Sequence, residues 1–259
     1  MSVRHLDSVL RPTSVAVIGA SNAPDSIGGI VLRNLLRSGF QGPIMPVNPK
    51  YDAVAGVLSY PNVASLPKVP DLAIICTPPK TVPTLIQQLG ERGTKGAAVI
   101  TAGLSQPYDE RRTISEAMLA AAQPHLLRIL GPNCVGLMVP GIGLNASFAH
   151  AGIDAGSLAF VSQSGGFCTA TLDWARARGI GFSHFISLGN SADVDFGDVL
   201  DYLGSVPETT AILLYMEAIG RDEARKFMSA ARSAARNKHV LVIKAGRNLE
   251  GARAAASHT

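Results

Sequence analysis

The amino-acid sequence predicts an α/β protein with two doubly wound domains and mainly parallel sheets. Short runs of Val, Ile, Leu and Ala alternate with helical stretches along all 259 residues. Several of these runs are apolar without interruption, which is typical of strands buried on both faces. Glycine and proline are frequent, at 26 and 16 residues, as many short connections require. This pattern is characteristic of Rossmann-like and flavodoxin-like folds.

The apolar runs predict strands, and most of the segments between them predict helices. Strands are expected over residues 15–19, 43–47, 72–76, 97–101, 127–130, 158–162, 182–187, 211–216 and 240–244. Helices are expected over residues 30–38, 81–92, 109–122, 166–178, 195–203 and 221–236. Gly and Pro punctuate residues 131–156, where no helix is expected. We therefore predict a Rossmann-like domain over 1–130, a connection over 131–156, and a flavodoxin-like domain over 157–259 that continues beyond the chain end.

Composition and charge narrow the classes of function. Hydrophobic residues make up 47% of the chain and charged residues 16%, which favours a packed core over disorder. The net charge is only +4 and aromatic residues are 5%, so nucleic acid is not an expected partner. The three cysteines form no CxxC pair, so neither a metal site nor a disulfide framework is predicted. Without a signal segment or a membrane-length apolar run, a cytoplasmic protein with no membrane contact is expected.

The end of the first predicted strand indicates a ligand that carries phosphate. Gly19-Ala20-Ser21 leads from an apolar run towards Gly28-Gly29 and a helix, whose N-terminal N–H groups can bind phosphate. The next strand ends at Asn48-Pro49-Lys50 and lacks the acidic residue with which NAD enzymes bind ribose. Lys50 suits a phosphate on the ribose, which NADP and coenzyme A both carry, or it is an ordinary surface lysine.

Two further strands end in abrupt turns at the side of the sheet where ligands bind. These turns are Thr77-Pro78-Pro79 and Gly131-Pro132-Asn133-Cys134. Asn133 and Cys134 are expected to face the crevice, although a free cysteine is more often a small buried filler. Nothing nearby would activate a thiolate, so Cys134 is not expected to be a nucleophile.

The second half of the chain indicates an anion site and a mobile histidine. Ser162-Gln-Ser164-Gly165-Gly166 leads from a strand into a helix N-terminus, where free N–H groups and the helix dipole favour an anion. His258 follows a run of small residues, so it either swings between two sites or belongs to a frayed terminus. Glu217, just past a buried strand, could orient an imidazole or be a solvated acid.

Together these motifs resemble the NDP-forming acyl-CoA synthetases. The sequence is similar to succinyl-CoA synthetase α-subunits and, more closely, to ADP-forming acetyl-CoA synthetases. The resemblance covers essentially the whole chain and rests on motifs in the family's order: Gly19-Ala-Ser21, Asn48-Pro49-Lys50, Thr77-Pro78-Pro79, Gly131-Pro132-Asn133-Cys134, Ser162-Gln-Ser164-Gly165-Gly166 and Ala255-Ala-Ser257-His258-Thr259.

The resemblance implies different roles for the two halves of the chain. The first half would bind coenzyme A, and His258 would carry a phosphoryl group between an acyl-phosphate site and a nucleotide site. Glu217 would hydrogen-bond that histidine, and Ser164, Gly165 and Gly166 would bind the phosphoryl group. The residues implied around coenzyme A are Gly19, Ala20, Ser21, Asn48, Lys50, Thr77, Pro78, Asn133 and Cys134.

The resemblance also implies partners. The chain contains no recognisable ATP-grasp segment, so a β-subunit or a further part of a longer fusion would supply the ATP, ADP and Mg²⁺ site of a homo- or hetero-oligomer. Residues 143–148 and 225–238 resemble a bacterial branch fused to a GNAT domain that acetylates protein lysines. Some members of that branch lack the histidine, so His258 favours retained synthetase chemistry. The alternative is an acyl-CoA-binding regulatory module of a GNAT acetyltransferase, whereas an NADP oxidoreductase lacks a recognisable hydride-transfer site.

Overall fold

The first half of the chain forms a parallel sheet with helices on both faces. The computed structural model describes residues 3–246, apart from the side chains of residues 221 and 222. The elements of this half are α1 (Leu6–Leu10), β1 (Val15–Ile18), α2 (Ile27–Arg37), β2 (Ile44–Val47), β3 (Ala53–Val54), β4 (Val57–Leu58), β5 (Leu72–Ile75), α3 (Val82–Glu91), β6 (Gly96–Val99), α4 (Ile114–Ala122) and β7 (Arg128–Leu130). The strand order is β2-β1-β5-β6-β7, with every pairing parallel.

The second half forms a mixed sheet. Its elements are β8 (Gly136–Val139), β9 (Leu144–Ser147), β10 (Ala155–Ser162), α5 (Gly165–Arg176), β11 (Phe182–Ser187), α6 (Phe196–Ser205), β12 (Ala211–Met216), α7 (Arg221–Ala234) and β13 (His239–Lys244). The order is β13-β12-β10-β11-β8-β9. The strands from β10 onward pair in parallel, whereas β8 is antiparallel to both β11 and β9.

The predicted α/β class with mainly parallel sheets is confirmed. Several of the uninterrupted apolar runs are strands buried on both faces, such as β1 and β5, in which every residue is buried. The run in β13 differs, because that strand lies at the edge of its sheet and is largely exposed. The expected strands and helices are present within residues 3–246, with ends shifted by a few residues. The helix expected from residue 109 begins instead at Ile114, because the Thr113 hydroxyl and Glu116 carboxylate form a reciprocal cap there.

Residues 131–156, which we predicted to be a connection, carry two strands. β8 and β9 form an antiparallel pair that extends the second sheet beyond β11. Each is only four residues long and is flanked by glycine or proline, so the local sequence resembles a loop. The pairing of β8 with β11, which is distant in sequence, adds the two strands to the second sheet. The division into domains at residues 130 and 157 stays a prediction.

A buried group of charges joins the two sheets. The Arg128 guanidinium, at the start of β7, contacts Asp193 at 3.0 Å and Asp198 at 2.8 Å. Asp198 lies in α6 and is 1% exposed. Its other oxygen contacts the ammonium group of Lys226, which also contacts Asp195, the N-cap residue of α6. Charges from both halves are therefore compensated together away from water.

Main-chain hydrogen bonds run beside this charged group. Residues 190–194, after β11, lie along residues 129–132 at the end of the first sheet. The Asn190 N–H donates to the Pro132 carbonyl at 2.9 Å, and the Val194 N–H donates to the Ile129 carbonyl at 3.1 Å. This contact brings the carboxyl ends of the two sheets together.

Replacing Arg128 with Ala is expected to destabilise the protein by about 3–5 kcal/mol, because it removes a cation from the buried Asp198 carboxylate. Urea unfolding of the wild type and the variant measures the difference. Arg112→Ala is the matched control, since Arg112 pairs with Asp109 on the surface and should change stability little. Equal losses for the two variants would contradict a joining role for Arg128.

Candidate functional site

A cleft of about 730 Å³ lies where strand ends of both sheets meet. Its walls come from turns that follow β6, β7, β10, β11 and β12, with the start of α2 and the residue after β9. Ligands of parallel α/β folds bind at this end of the strands. The lining residues are Ile27, Ile100, Thr101, Ala102, Asn133, Cys134, Val135, Phe148, Gln163, Ser164, Gly165, Gly189, Asn190, Glu217, Ala218 and Gly246.

The turn from β1 into α2 depends on two glycines. Gly19 has φ +90°, and a Cβ there would lie 2.9 Å from the Cys76 carbonyl oxygen at the end of β5. A Cβ on Gly28 would lie only 2.1 Å from the Gly19 carbonyl oxygen. The Ser26 hydroxyl caps α2 by accepting the Gly29 N–H at 3.2 Å. The first turn of α2 is therefore held against the strand ends with its backbone uncovered by side chains at Gly28 and Gly29.

Asn48 ties this turn to the end of β2. Its amide nitrogen donates to the Ala20 carbonyl at 2.7 Å, and its amide oxygen accepts the Lys50 N–H at 2.8 Å. Ser21 makes a local bond, its hydroxyl accepting the Ala23 N–H at 3.1 Å. Asn48 thus fixes the loop after β1 and the loop after β2, while the side chain of Lys50 is exposed.

The end of β5 is fixed to its neighbours in a similar way. The Thr81 hydroxyl donates to the Thr77 hydroxyl at 2.8 Å, and the Thr101 hydroxyl donates to the Thr77 carbonyl at 2.8 Å. Pro78, the next residue, is exposed. Gly19, Asn48 and Thr77 therefore lie at adjacent strand ends, since β2, β1 and β5 are neighbours in the sheet.

Asn133 and Cys134 differ in their access to the cleft. Asn133 is exposed, has φ +58°, and donates from its side-chain amide to the Asn190 side-chain oxygen at 3.2 Å. The Cys134 thiol is buried and lies 3.4 Å from the Val99 carbonyl oxygen. Burial raises the pKa of the Cys134 thiol to about 12. It stays protonated at neutral pH, so this thiol is not a nucleophile.

The N-terminus of α5 opens into the cleft. Ser164 is the N-cap residue, and its hydroxyl accepts the Phe167 N–H at 3.3 Å. The N–H groups of Gly165 and Gly166 lie in the first turn, where no acceptor exists within the helix. A Cβ on Gly166 would meet no atom within 4 Å, so the space beside it is open. Such a helix N-terminus can bind an anion.

Glu217 lies beside this helix N-terminus. It follows β12, is half-buried, and lines the cleft together with Ser164 and Gly165. The structure thus brings the predicted carboxylate and most of the predicted phosphate-binding residues into one cleft. His258 lies outside the described residues, and its pairing with Glu217 stays a prediction.

The predicted site residues form two groups. Asn133, Cys134, Ser164, Gly165 and Glu217 line the cleft. The others do not line it and, apart from Gly166, gather at the ends of β1, β2 and β5: Gly19, Ala20, Ser21, Asn48, Lys50, Thr77 and Pro78.

Sequence reasoning did not assign a role to several residues that line the cleft. Gln163, Thr101 and Asn190 each follow a strand and face the cleft. The position of a polar side chain directly after a buried strand was the available signal. Within residues 3–246, no cluster of three His, Cys, Asp or Glu side chains is placed to hold a metal ion. Among the same residues, no helix combines the length and the apolar character that crossing a membrane requires.

Comparison with known families assigns a class to each half. Residues 13–140 match the CoA binding domain family, and residues 155–259 match the succinyl-CoA ligase like flavodoxin domain family. The class of protein is therefore one that joins a CoA binding domain to a succinyl-CoA-ligase-like domain.

Individual proteins with similar sequences indicate a more specific class. The chain is 40% identical over 254 residues to an ADP-forming acetate–CoA ligase of Archaeoglobus fulgidus, covering 98% of this chain and 36% of the relative. It is 41% identical over 255 residues to the alpha subunit of an ADP-forming acetate–CoA ligase of Pyrococcus furiosus, covering 98% of this chain and 55% of the subunit. The chain thus spans between a third and just over half of these relatives. Over residues 13–140 and 155–259 it belongs to those two domain families, and it is similar to ADP-forming acetate–CoA ligases.

A solved structure agrees with the fold. An acetyl-coenzyme A synthetase of Candidatus Korarchaeum cryptofilum, solved in complex with phosphate and ADP, superposes with a TM-score of 0.91 at 38% identity. The match covers 98% of this chain and 54% of that one. The GNAT fusion and the individual site residues stay predictions.

Replacing Gly28 with Ala is expected to destabilise the protein by about 1–3 kcal/mol, because the new methyl group would clash with the Gly19 backbone. Thermal unfolding measures the loss. Gly141→Ala is the control, since a Cβ there would meet no atom within 4 Å. Similar unfolding temperatures for the two variants would show that the close approach of α2 to β1 is not required.

Proposed function

We propose that this chain is the CoA-binding and phosphohistidine-bearing part of an ADP-forming acyl-CoA synthetase. The complete enzyme would convert a short carboxylic acid such as acetate, CoA and ATP reversibly into acyl-CoA, ADP and phosphate through an acyl phosphate. The observation that carries this proposal is that one cleft contains the N-terminus of α5, Glu217 and strand ends of the CoA-binding half. Acid–thiol ligation needs such a meeting point, since the acyl phosphate must reach the thiol.

The first half has features that suit CoA. A helix N-terminus suits the pyrophosphate group, and α2 begins just after the turn that follows β1, with its Gly29 N–H bonded to the Ser26 hydroxyl. Lys50 supplies an exposed cation for the 3′-phosphate, while Asn48 and Thr77 hold the surrounding loops. The pantetheine arm could then follow the strand ends towards Asn133. When bound, CoA supplies the thiol that accepts the acyl group.

The second half has features that suit phosphoryl transfer. The N–H groups of Gly165 and Gly166 and the dipole of α5 would stabilise negative charge on the phosphoryl group. The Glu217 carboxylate would accept a hydrogen bond from one nitrogen of the His258 imidazole and so present the other to phosphorus. Attack by that nitrogen divides one difficult transfer into two easier ones.

An ATP-binding partner is part of this proposal. The chain spans 36% of one relative and 55% of another, and the second relative is itself called an alpha subunit. We propose that an ATP-grasp domain or a separate β-subunit holds ATP and Mg²⁺. His258 would carry the phosphoryl group between that partner and the cleft.

CoA is expected to bind more tightly than 3′-dephospho-CoA, by about ten- to a hundredfold, because a charge-assisted contact to phosphate contributes about 1.5–3 kcal/mol. Isothermal titration calorimetry compares the two ligands. Lys50→Ala should abolish the difference, whereas Lys68→Ala, at another exposed lysine of the same half, should preserve it. Equal affinities in the wild type would remove Lys50 from the site.

The complete enzyme is expected to acquire an acid-labile, base-stable phosphoryl group on His258 when it is given radiolabelled ATP. His258→Ala should abolish both the label and acyl-CoA formation and leave CoA affinity almost unchanged, because CoA binding depends on the other half. His150→Ala, at an exposed histidine that pairs with Asp173, should keep both. Synthetase activity in His258→Ala would refute the mechanism, and CoA binding without any label would favour an acyl-CoA-binding regulatory module.

A further inference from the structure

The peptide of Glu217 is held from both sides by side chains of neighbouring strands. The Gln163 side-chain oxygen accepts the Glu217 N–H at 2.8 Å and the Ala218 N–H at 3.1 Å. On the other side, the Lys244 ammonium group donates to the Glu217 carbonyl at 2.7 Å. Gln163 follows β10 and Lys244 ends β13, the two strands that flank β12. Glu217 is thus fixed beyond the last residue of its own strand.

Gln163 is itself set in a rigid turn. Its N–H donates to the Tyr215 carbonyl at 3.2 Å. The Ser162 hydroxyl, which precedes it, donates to the Ser164 carbonyl and accepts the Ser164 N–H, both at 3.0 Å. Gln163 therefore lies between a buried serine and the N-cap residue of α5. A shift of the Glu217 main chain relative to that helix N-terminus would break bonds to this one side chain.

We propose that Gln163 is a positioning residue, which sets the place of the Glu217 carboxylate relative to the N-terminus of α5, and that Lys244 braces the same peptide. This proposal rests on the proposed function, in which the carboxylate orients the histidine and the helix holds the phosphoryl group. Both must act on one imidazole–phosphoryl unit, so their separation matters. A displacement of about 1 Å in such an arrangement can cost about a hundredfold in rate.

The test uses the complete enzyme and measures phosphoryl transfer from radiolabelled ATP in a single turnover. Gln163→Ala should slow this step about ten- to a hundredfold, because the Glu217 peptide loses both acceptor contacts. The KM for CoA should stay within about twofold, since the first half is untouched. The control variant is Gln87→Ala, because Gln87 is exposed and bonds only Glu91 on α3 among the contacts described. It should keep the wild-type rate.

Gln163→Glu provides a readout that a purely structural role would not move. A glutamate has nearly the same reach and can still accept both N–H groups, so the protein should fold and keep most of its rate. Phosphoryl transfer at close to the wild-type rate in Gln163→Glu, against the loss in Gln163→Ala, is the expected result, and it ties the loss to the two accepted hydrogen bonds. Lys244→Met keeps the proposal testable if Gln163→Ala does not fold.

The possible failures are distinguishable. A wild type that gains no label overturns the proposed function itself. A labelled wild type with an equal rate in Gln163→Ala, or with the same loss of rate in Gln163→Glu as in Gln163→Ala, overturns only the positioning role. Lys244→Met should slow transfer in the same direction as Gln163→Ala. The double variant should lose less than the product of the two losses, because both side chains hold one peptide.

Discussion

The ion group around Arg128 ties the two halves of this protein together beside a hydrophobic core that they share. A guanidinium at the start of β7 shares two carboxylates, Asp193 and Asp198, that belong to the other half. Because Asp198 is almost completely buried, its charge requires nearby cations, and only a narrow range of arrangements satisfies that requirement. The main-chain bonds of residues 190–194 to residues 129–132 reinforce the same arrangement. The cleft exists because the strand ends of both sheets are held at this contact.

Each half of the protein has a helix that begins just after a strand, and a helix N-terminus can bind phosphate through its backbone. At α2, the glycines at positions 28 and 29 let the helix start approach the end of β1 closely. At α5, the Ser164 cap leaves the first glycine N–H groups directed at open space. Neither arrangement needs a dedicated cationic side chain in the cleft, which is consistent with the modest net charge of +4. Under the proposed function, these two helix N-termini would bind the anionic groups of the ligands.

The division of roles also explains why one chain can carry only part of the chemistry. The residues proposed for CoA follow the strands of the first sheet, whereas Glu217 and the start of α5 belong to the second. A phosphoryl carrier must move between sites, so the machinery that charges it can reside on another domain. The relatives, which are longer than this chain, leave room for such a domain.

The sequence by itself determined the elements and their order, since its apolar runs form strands in both sheets, although the run in β13 is exposed. It also located the turn at Ser164 and the strand-end position of Glu217, because helix caps and strand ends are local features. Only the tertiary structure decided that residues 136–147 form two strands, and that the Asn48 side chain donates to the Ala20 carbonyl. It also decided that the Gln163 side chain accepts the Glu217 N–H. The pairing of β8 with β11 joins segments distant in the chain, and Asn48 and Gln163 bond residues 28 and 54 positions away. Local sequence patterns reveal burial and periodicity, but which polar groups meet is decided by the packing of the two sheets.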